Sequence, residues 1–346
     1  MARRSGKVTI HDIAHALGLN ASTVSRALAD NPVVSQKTRE LVQRKAEELN
    51  YQPNHMAAAL RRGRSNILGV VIPAIDQAFF GAVIRGIEER AEEDNYRIIV
   101  SQTYDSYERE RTMIRTLRRA QVDGVIISSA KDPNPDPSFY HQLIEDGFPL
   151  HFFDSMPVGV EAPAVVIDDE AGGYAATQLL IDAGYRRIAH FRGPQDFHIY
   201  RDRYRGYLRA MAEANLSVPA GYVIDIVSHF DSGEQGFAEL WRVPEKPEAI
   251  FSTSDYTAAG CMRAARQLGI RVPEELAVVG FSNEPFATIV SPQLTSVDQR
   301  CHDMGRAVAE RLLRQLRGEG AEDELRHVLE PVVMVRESAP VRRKGR

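Results

Sequence analysis

Between Asn66 and about residue 281, short apolar runs alternate with helix-patterned stretches, and no other feature constrains the fold of this chain as strongly. Ile67–Ile72, Ile98–Val100, Val125–Ile127, Leu150–Phe153 and Val165–Ile167 read as buried strands, with helical stretches at about 80–94, 106–120 and 138–146 between them. The alternation restarts after Asp168: strands near Ile188–Phe191, Val223–Val227, Ile250–Ser252 and Val278–Phe281, helices near 170–183, 201–214, 232–241 and 256–268. Buried strands separated by helices imply a parallel sheet covered on both faces. Two such sets imply two doubly wound lobes. Leu294–Val297 and Val332–Val335 fall outside the repeats and read as returning crossovers between the lobes. A chain of 346 residues, 43% of them apolar, has room for two or three domains and is not disordered throughout. It has no apolar run of 18 residues, so no membrane-spanning helix is expected.

The first fifty residues follow another pattern. Thr9-Ile10-His11-Asp12 is a capping box, with Thr9 as N-cap and Asp12 answering it. Ile10, Ile13, Ala14 and Leu17 then share one helical face, and Gly18 ends the helix. Asn20 can cap a second helix over about 21–29, with Leu19 and Val24 as its hydrophobic staple. Ser35 caps a third, longer helix, which Pro53 is expected to end. Two short helices joined by a tight glycine turn and buttressed by a third make a helix-turn-helix. The second helix carries Ala21, Ser22, Thr23, Ser25 and Arg26. Small and hydroxylated residues let a helix enter the major groove, and an arginine fork fits guanine or phosphate. A generic three-helix bundle is the plainer reading of the same pattern.

Charge separates the same two regions. Residues 1–64 hold eleven Lys/Arg against five Asp/Glu, a balance of +6; the whole chain stands at −4, so the remainder carries −10. A small basic end on a large acidic body suits a nucleic-acid reader joined to something else. The two cysteines, Cys261 and Cys301, form no framework, and no apolar segment follows the basic start. A cytoplasmic protein is the expectation.

The stretch from Val8 to Leu28, with Val34-Ser-Gln-Lys-Thr-Arg39 and Leu49-Asn-Tyr-Gln-Pro-Asn54, resembles the headpiece of the lac repressor (LacI/GalR) family of bacterial transcription regulators. Further markers, among them Asp123-Gly-Val-Ile-Ile127, Arg203-Tyr-Arg-Gly206 and Val278-Val-Gly-Phe281, carry the resemblance across about 8–338. It implies an α-helical helix-turn-helix headpiece (1–53), a hinge (54–64) and an α/β two-lobed domain like a periplasmic binding protein (65–340). The first lobe is expected at about 65–165 plus 295–326, and the second at about 166–294 plus 327–340. The DNA-facing residues are then Thr9, Asn20, Ala21, Ser22, Thr23, Ser25 and Arg26 in the headpiece and Asn54, His55, Ala58, Leu60 and Arg61 in the hinge. In the family, paired hinges enter the minor groove and a leucine at the position of Leu60 wedges between base pairs, trading unstacking for bent DNA.

The resemblance also implies a small-molecule effector, a sugar or sugar derivative first and a nucleobase second, bound between the lobes. Arg203 matches the family's effector arginine, whose fork suits vicinal hydroxyls or a carboxylate. Phe80 stands where the family stacks a ring, with Phe79 beside it as the core member. Asp154 and Asp255 end strands and are read as contacts, although Asp255 can equally cap the helix that follows. Many family members carry an aspartate after the Gly-aromatic pair; here Ser282 and Asn283 follow Phe281, and the cleft is expected to lose a charge. A hydroxyl and amide pair still suits sugar hydroxyls.

An enzyme on the same fold is the competing class. There is no GxGxxG after the first strand, no P-loop, no HExxH and no GxSxG, and His151 and His190 sit in apolar runs where core histidines are common. No cofactor or metal is expected. A free sugar-binding protein would not need residues 8–62. The chain therefore reads as an effector-controlled homodimeric regulator, a repressor in the first instance, on a pseudo-palindromic operator. By resemblance the helix 80–93 and the helix after Asp255 supply the dimer surface.

Overall fold

The computed structural model describes residues 8–51, 64–132, 136–320 and 324–339. They fall into two compact units, divided after Ser65.

The first unit holds α1 (Ile10–Leu17), α2 (Ala21–Leu28) and α3 (Gln36–Glu48). Its core is a single small cluster in which Ile13, Ala14, Val24, Ala27, Val34, Val42 and Ala46 are buried. The capping box forms: the Thr9 backbone N–H and hydroxyl both donate to the Asp12 carboxylate at 2.7 Å. Those two bonds hold the Asp12 carboxyl below the usual carboxylate range. Gly18 adopts φ 63°, and the next N–H, of Leu19, returns to the Ala14 carbonyl at 2.9 Å. Asn20 occupies the N-cap position of α2, but its side chain makes no capping bond; Ser35 does cap α3, accepting from the Thr38 N–H. α3 ends at Glu48, before Pro53, because Asn50 turns into the left-handed region at φ 50°.

The second unit contains two six-stranded sheets. The first lobe contributes β1 (Ile67–Ile72), α4 (Ala78–Glu93), β2 (Arg97–Gln102), α5 (Tyr107–Arg119), β3 (Gly124–Ile127), α6 (Ser138–Glu145), β4 (Leu150–Phe153) and β5 (Ala164–Ile167). The second contributes α7 (Asp169–Asp182), β6 (Ile188–Arg192), α8 (His198–Glu213), β7 (Val223–Asp225), α9 (Phe230–Leu240), β8 (Ala249–Ser252), α10 (Asp255–Gln267), β9 (Ala277–Phe281) and β10 (Thr295–Asp298). The chain then returns for α11 (Cys301–Arg317) and β11 (Arg326–Leu329), and crosses again to β12 (Val332–Met334). Strand order is β11-β5-β4-β3-β1-β2 in one sheet and β12-β10-β9-β8-β6-β7 in the other. Every pair is parallel except β10–β12. Central strands are buried on both faces, which is why they read as unbroken apolar runs.

Two expectations need correction. The run at 294–297 does not begin the first lobe's return: β10 pairs with β9, Thr295 opposite Val279, and stays in the second sheet. Arg326–Leu329 is a strand of the first lobe, beside β5, so the last crossing lies after residue 329. Its sequence carries no strand pattern because only Leu329 of its four residues is buried, as suits a sheet edge. α11, also unread, lays Met304, Val308, Ala309, Leu312 and Leu313 on the first lobe's core.

One close approach positions the functional site. α7 and α8 touch backbone to backbone at Gly173 and Gly206: a Cβ at Gly206 would lie 2.1 Å from the Glu170 carbonyl oxygen, and one at Gly173 would lie 2.2 Å from that of Arg203. Only glycine allows that separation, and it brings Arg203 on α8 against Asp169 at the start of α7.

Candidate functional site

In the headpiece, α2 buries Val24 and Ala27 and leaves Ser22 and Arg26 exposed, with Ala21, Thr23 and Ser25 half-buried. Thr9 and Asn20, the two N-cap residues, are exposed as well. The exposed face of α2 is therefore small, hydroxylated and ended by one guanidinium, the chemistry of major-groove readout. Asn54, His55, Ala58, Leu60 and Arg61 lie outside the described residues.

The second candidate is a cavity of about 270 Å³ between the two lobes, near the lower end of the range for small-molecule pockets. The first lobe supplies Asp76 and Gln77 after β1, Phe79 and Phe80 on α4, Lys131 after β3 and Asp154 after β4. The second supplies Ile199, Tyr200 and Arg203 on α8, Ser228 and His229 after β7, Thr253 and Ser254 after β8, Tyr256 on α10, Ser282 and Glu284 after β9, and Gln299 after β10. These loops and helix starts lie at the carboxyl ends of the strands, where open α/β sheets bind ligands.

Arg203 is the anchor. It is 4% exposed. Its Nε donates to Asp169 Oδ1 at 2.8 Å, Nη1 to the Thr253 carbonyl at 2.9 Å and Nη2 to Gln299 Oε1 at 3.2 Å. Its guanidinium lies 3.7 Å from the centre of the Phe281 ring. Of five N–H donors, two remain to meet a ligand. Burial pushes the Asp169 carboxyl up to about 6, against the pull of Arg203 beside it. Gln299 also donates to Ser282 Oγ at 3.0 Å, so the arginine and the serine are tied through one amide.

Across the cavity, Asp154 stands in the left-handed region at φ 58° and accepts from Ser128 Oγ at 3.3 Å. Lys131 lies 5.5 Å from the centre of the Tyr200 ring. Burial works against its charge, but Tyr200, Asp154 and Asp105 outweigh burial and hold its pKa above the usual lysine value. The loop that carries Lys131 is pinned by Glu110, whose carboxyl accepts from the Ala130 N–H at 2.6 Å and from the Tyr140 hydroxyl. Glu110 is fully buried, and burial pushes its carboxyl up to about 8.

The cavity thus brings together Phe80, Asp154, Arg203 and Ser282 of the residues singled out from the sequence. Phe80 is the core member of its pair: it is 2% exposed and packs edge-on against Phe79 and Phe153, while Phe79 is the less buried ring. Asp255 and Asn283 do not line the cavity. The Asp255 carboxylate faces inward, accepting from Ser296 Oγ at 2.6 Å and the Glu284 N–H at 2.7 Å; the cap of α10 is Ser254. Asn283 donates to Asp298 Oδ2 at 2.9 Å and accepts from Arg336 Nη2 at 2.6 Å, which ties β9 to β10 and the last crossing. The cleft does not lack a carboxyl at this end either, since Glu284 lines it. Lys131, Tyr200, His229, Tyr256, Glu284 and Gln299 were not read from the sequence. Each is a single residue in a loop or first helical turn, with no local period to mark it; only their position after strand ends could have pointed to them.

His190 is a core residue. It stacks on Tyr204, Tyr207 and Phe251, and burial pushes it down to about 3. Among the described residues no His, Cys, Asp and Glu cluster is placed to hold a metal ion, and no helix is long and apolar enough to cross a membrane.

The sequence profile of bacterial regulatory proteins of the lacI family matches residues 9–54, and that of the periplasmic binding protein-like domain matches residues 177–339. Catabolite control protein A of Priestia megaterium is 36% identical over 307 residues, covering 88% of this chain and 91% of that protein. The ribose operon repressor of Halalkalibacterium halodurans is 33% identical over 330 residues, covering 95% and 96%. A solved transcriptional regulator CelR–cellobiose complex superposes with a TM-score of 0.71 at 32% identity, covering 96% of this chain and all of that one.

Proposed function

The chain belongs to the lacI family of bacterial regulatory proteins, DNA-binding regulators of transcription, and on that footing we propose that it is a homodimeric repressor whose grip on a pseudo-palindromic operator is set by a small polyhydroxylated effector in the interlobe cavity. Two headpieces related by a two-fold axis match two half-sites, so protein symmetry sets operator symmetry. α2 enters the major groove, with Ser22 and Arg26 at the bases or phosphates and Thr9, Asn20, Ala21, Thr23 and Ser25 alongside. Leu60 and its neighbours Asn54, His55, Ala58 and Arg61 take the minor groove at the operator centre. Exposed apolar side chains open to a second copy include Ile99 on β2, Ile75 and Tyr104 in the adjoining loops, and Val227 after β7.

The observation that carries the effector reading is the composition of the cavity. Its wall comes from both lobes, and its anchor Arg203 is already held on three sides. A ligand that touches both lobes binds one lobe arrangement better than another, which is what control of DNA affinity requires. The relatives named for a ribose operon and for a cellobiose complex support a sugar. Phe79, Tyr200 and Tyr256 in the same wall would equally stack a nucleobase, the second reading. A thermal-shift panel of sugars and nucleobases on the full-length protein, followed by an operator shift assay with each hit, tests both. A hit that changes operator affinity supports the proposal; hits that leave it unchanged contradict it.

A further inference from the structure

Resting on the sugar reading above, we infer that Glu284 reads the effector: its carboxyl accepts a hydrogen bond from a hydroxyl of an uncharged polyol, and Thr253 lines the same cavity. Two residues that line the cavity each carry a buried polar atom with no hydrogen-bond partner among the described residues, Glu284 Oε2 and Thr253 Oγ1. Glu284 is 5% exposed and Thr253 fully buried. Leaving such groups unpaired costs free energy in the folded protein, most of all for a carboxyl. A buried atom without a partner in a cavity wall is explained when a ligand completes it.

The neighbouring residues are already occupied. Ser282 accepts from Gln299, Asn283 is bound to Asp298 and Arg336, and the Thr253 carbonyl takes Arg203. Ser282 and Asn283 both have positive φ, 118° and 51°, and Asp255 holds the Glu284 N–H. This turn brings a carboxyl to the cavity two residues after the position where Ser282 offers only a hydroxyl. Burial, and then Asp255, push the Glu284 carboxyl up to about 7.

The remaining wall selects the ligand class. Arg203 and Lys131 offer donors, whereas Glu284, Asp76 and Asp154 offer acceptors. A sugar acid would satisfy the first set and be repelled by the second. Hydroxyl groups donate and accept, so an uncharged polyol satisfies both.

The test uses the full-length protein, Glu284→Met, Glu284→Gln and Thr253→Val. Each is titrated calorimetrically with ribose, glucose, galactose, maltose and cellobiose, and with glucuronate as the charged control. The expected result is that at least one uncharged sugar binds the wild type. It binds Glu284→Met at least tenfold more weakly, with partial recovery in Glu284→Gln and a smaller loss in Thr253→Val. Glu284→Met should melt no lower than wild type, because it removes a buried unpaired carboxyl. An uncharged sugar that binds wild type, Glu284→Met and Glu284→Gln equally overturns the assignment and leaves the sugar reading intact. So does glucuronate binding more tightly than glucose. If no uncharged sugar binds the wild type, the sugar reading itself fails, and this assignment with it. Should Glu284→Met not fold, Glu284→Gln still decides: unchanged affinity there overturns the role.

Discussion

The headpiece and the interlobe cavity do opposite things with their polar residues. The headpiece spends its few apolar residues on one small core and turns its proposed readers outward: Ser22 and Arg26 are exposed and need only a helix face to aim them. The proposed readers in the cavity are more enclosed, with Arg203 buried and Ser282 half-buried, and both are aimed by partners elsewhere in the chain. Arg203 depends on Asp169, Thr253 and Gln299, and Ser282 depends on Gln299. Damage to the headpiece should therefore weaken DNA binding and little else. Loss of a cavity side chain held in this way should propagate into the stability of the second lobe, whereas loss of the unpartnered Glu284 carboxyl should not.

The sharpest way to break that contrast is Gly206→Ala. Its Cβ would meet the Glu170 carbonyl at 2.1 Å and the Tyr174 N–H nitrogen at 2.5 Å, both backbone atoms that cannot swing aside. We expect a loss of about 3 kcal/mol in a denaturant melt, the upper end for overpacking, together with loss of ligand binding. A normal melt would mean that α7 and α8 are not locked as described. Next comes Arg26→Ala, which should cost about 2 kcal/mol in operator affinity, measured by fluorescence anisotropy, with a smaller loss on random duplex. Equal losses on both would reduce Arg26 to a phosphate contact. Arg203→Lys keeps a cation beside Asp169 but loses the fork, and should weaken effector binding about tenfold, or ~1.4 kcal/mol by calorimetry. Full affinity there would remove Arg203 from the ligand. Thr9→Ala removes the hydroxyl of the capping box and should cost the headpiece about 1 kcal/mol in thermal melts, with the sensor unit's transition unmoved.

This contrast also decides what was legible in the sequence. The capping box at Thr9 and Asp12 and the left-handed Gly18 depend on residues within five positions of each other, and both appear in the structure. The buried strands were legible because parallel sheets make them uniformly apolar. The edge strand β11 was not, since a strand with one buried residue carries no pattern. Among candidate site residues, Arg203 is singled out by resemblance and lines the cavity, but what holds it has no mark in the sequence: its partners lie 34, 50 and 96 positions away. Asp255 shows the reverse error. An acid at a strand end fits a ligand contact equally well, and only the fold reveals that Ser296, 41 residues later, takes its carboxylate.

A separate expected effect is a pH dependence confined to the sensor unit. Glu110 has a folded pKa of about 8, raised by burial above the ordinary glutamate value. Its protonated form is the one the fold accepts, so its contribution is complete below the unfolded value and is lost as pH rises through the folded one. Glu284, Asp169 and Asp255 shift in the same direction. Wild-type melting should therefore fall between pH 5 and 9, and Glu110→Gln should fall less, while the headpiece transition stays level. A steeper fall in Glu110→Gln would reverse the sign assigned here.

Occupancy of the buried cavity is proposed to change the grip of the exposed helix on DNA. This coupling is tested most directly by selecting a duplex from a random library with the full-length protein, then measuring its dissociation constant with and without the sugar found by calorimetry. The wild type should change at least tenfold at saturating sugar, and Arg203→Lys should need about ten times more sugar for the same change. The same dissociation constant for the wild type with and without saturating sugar would contradict it.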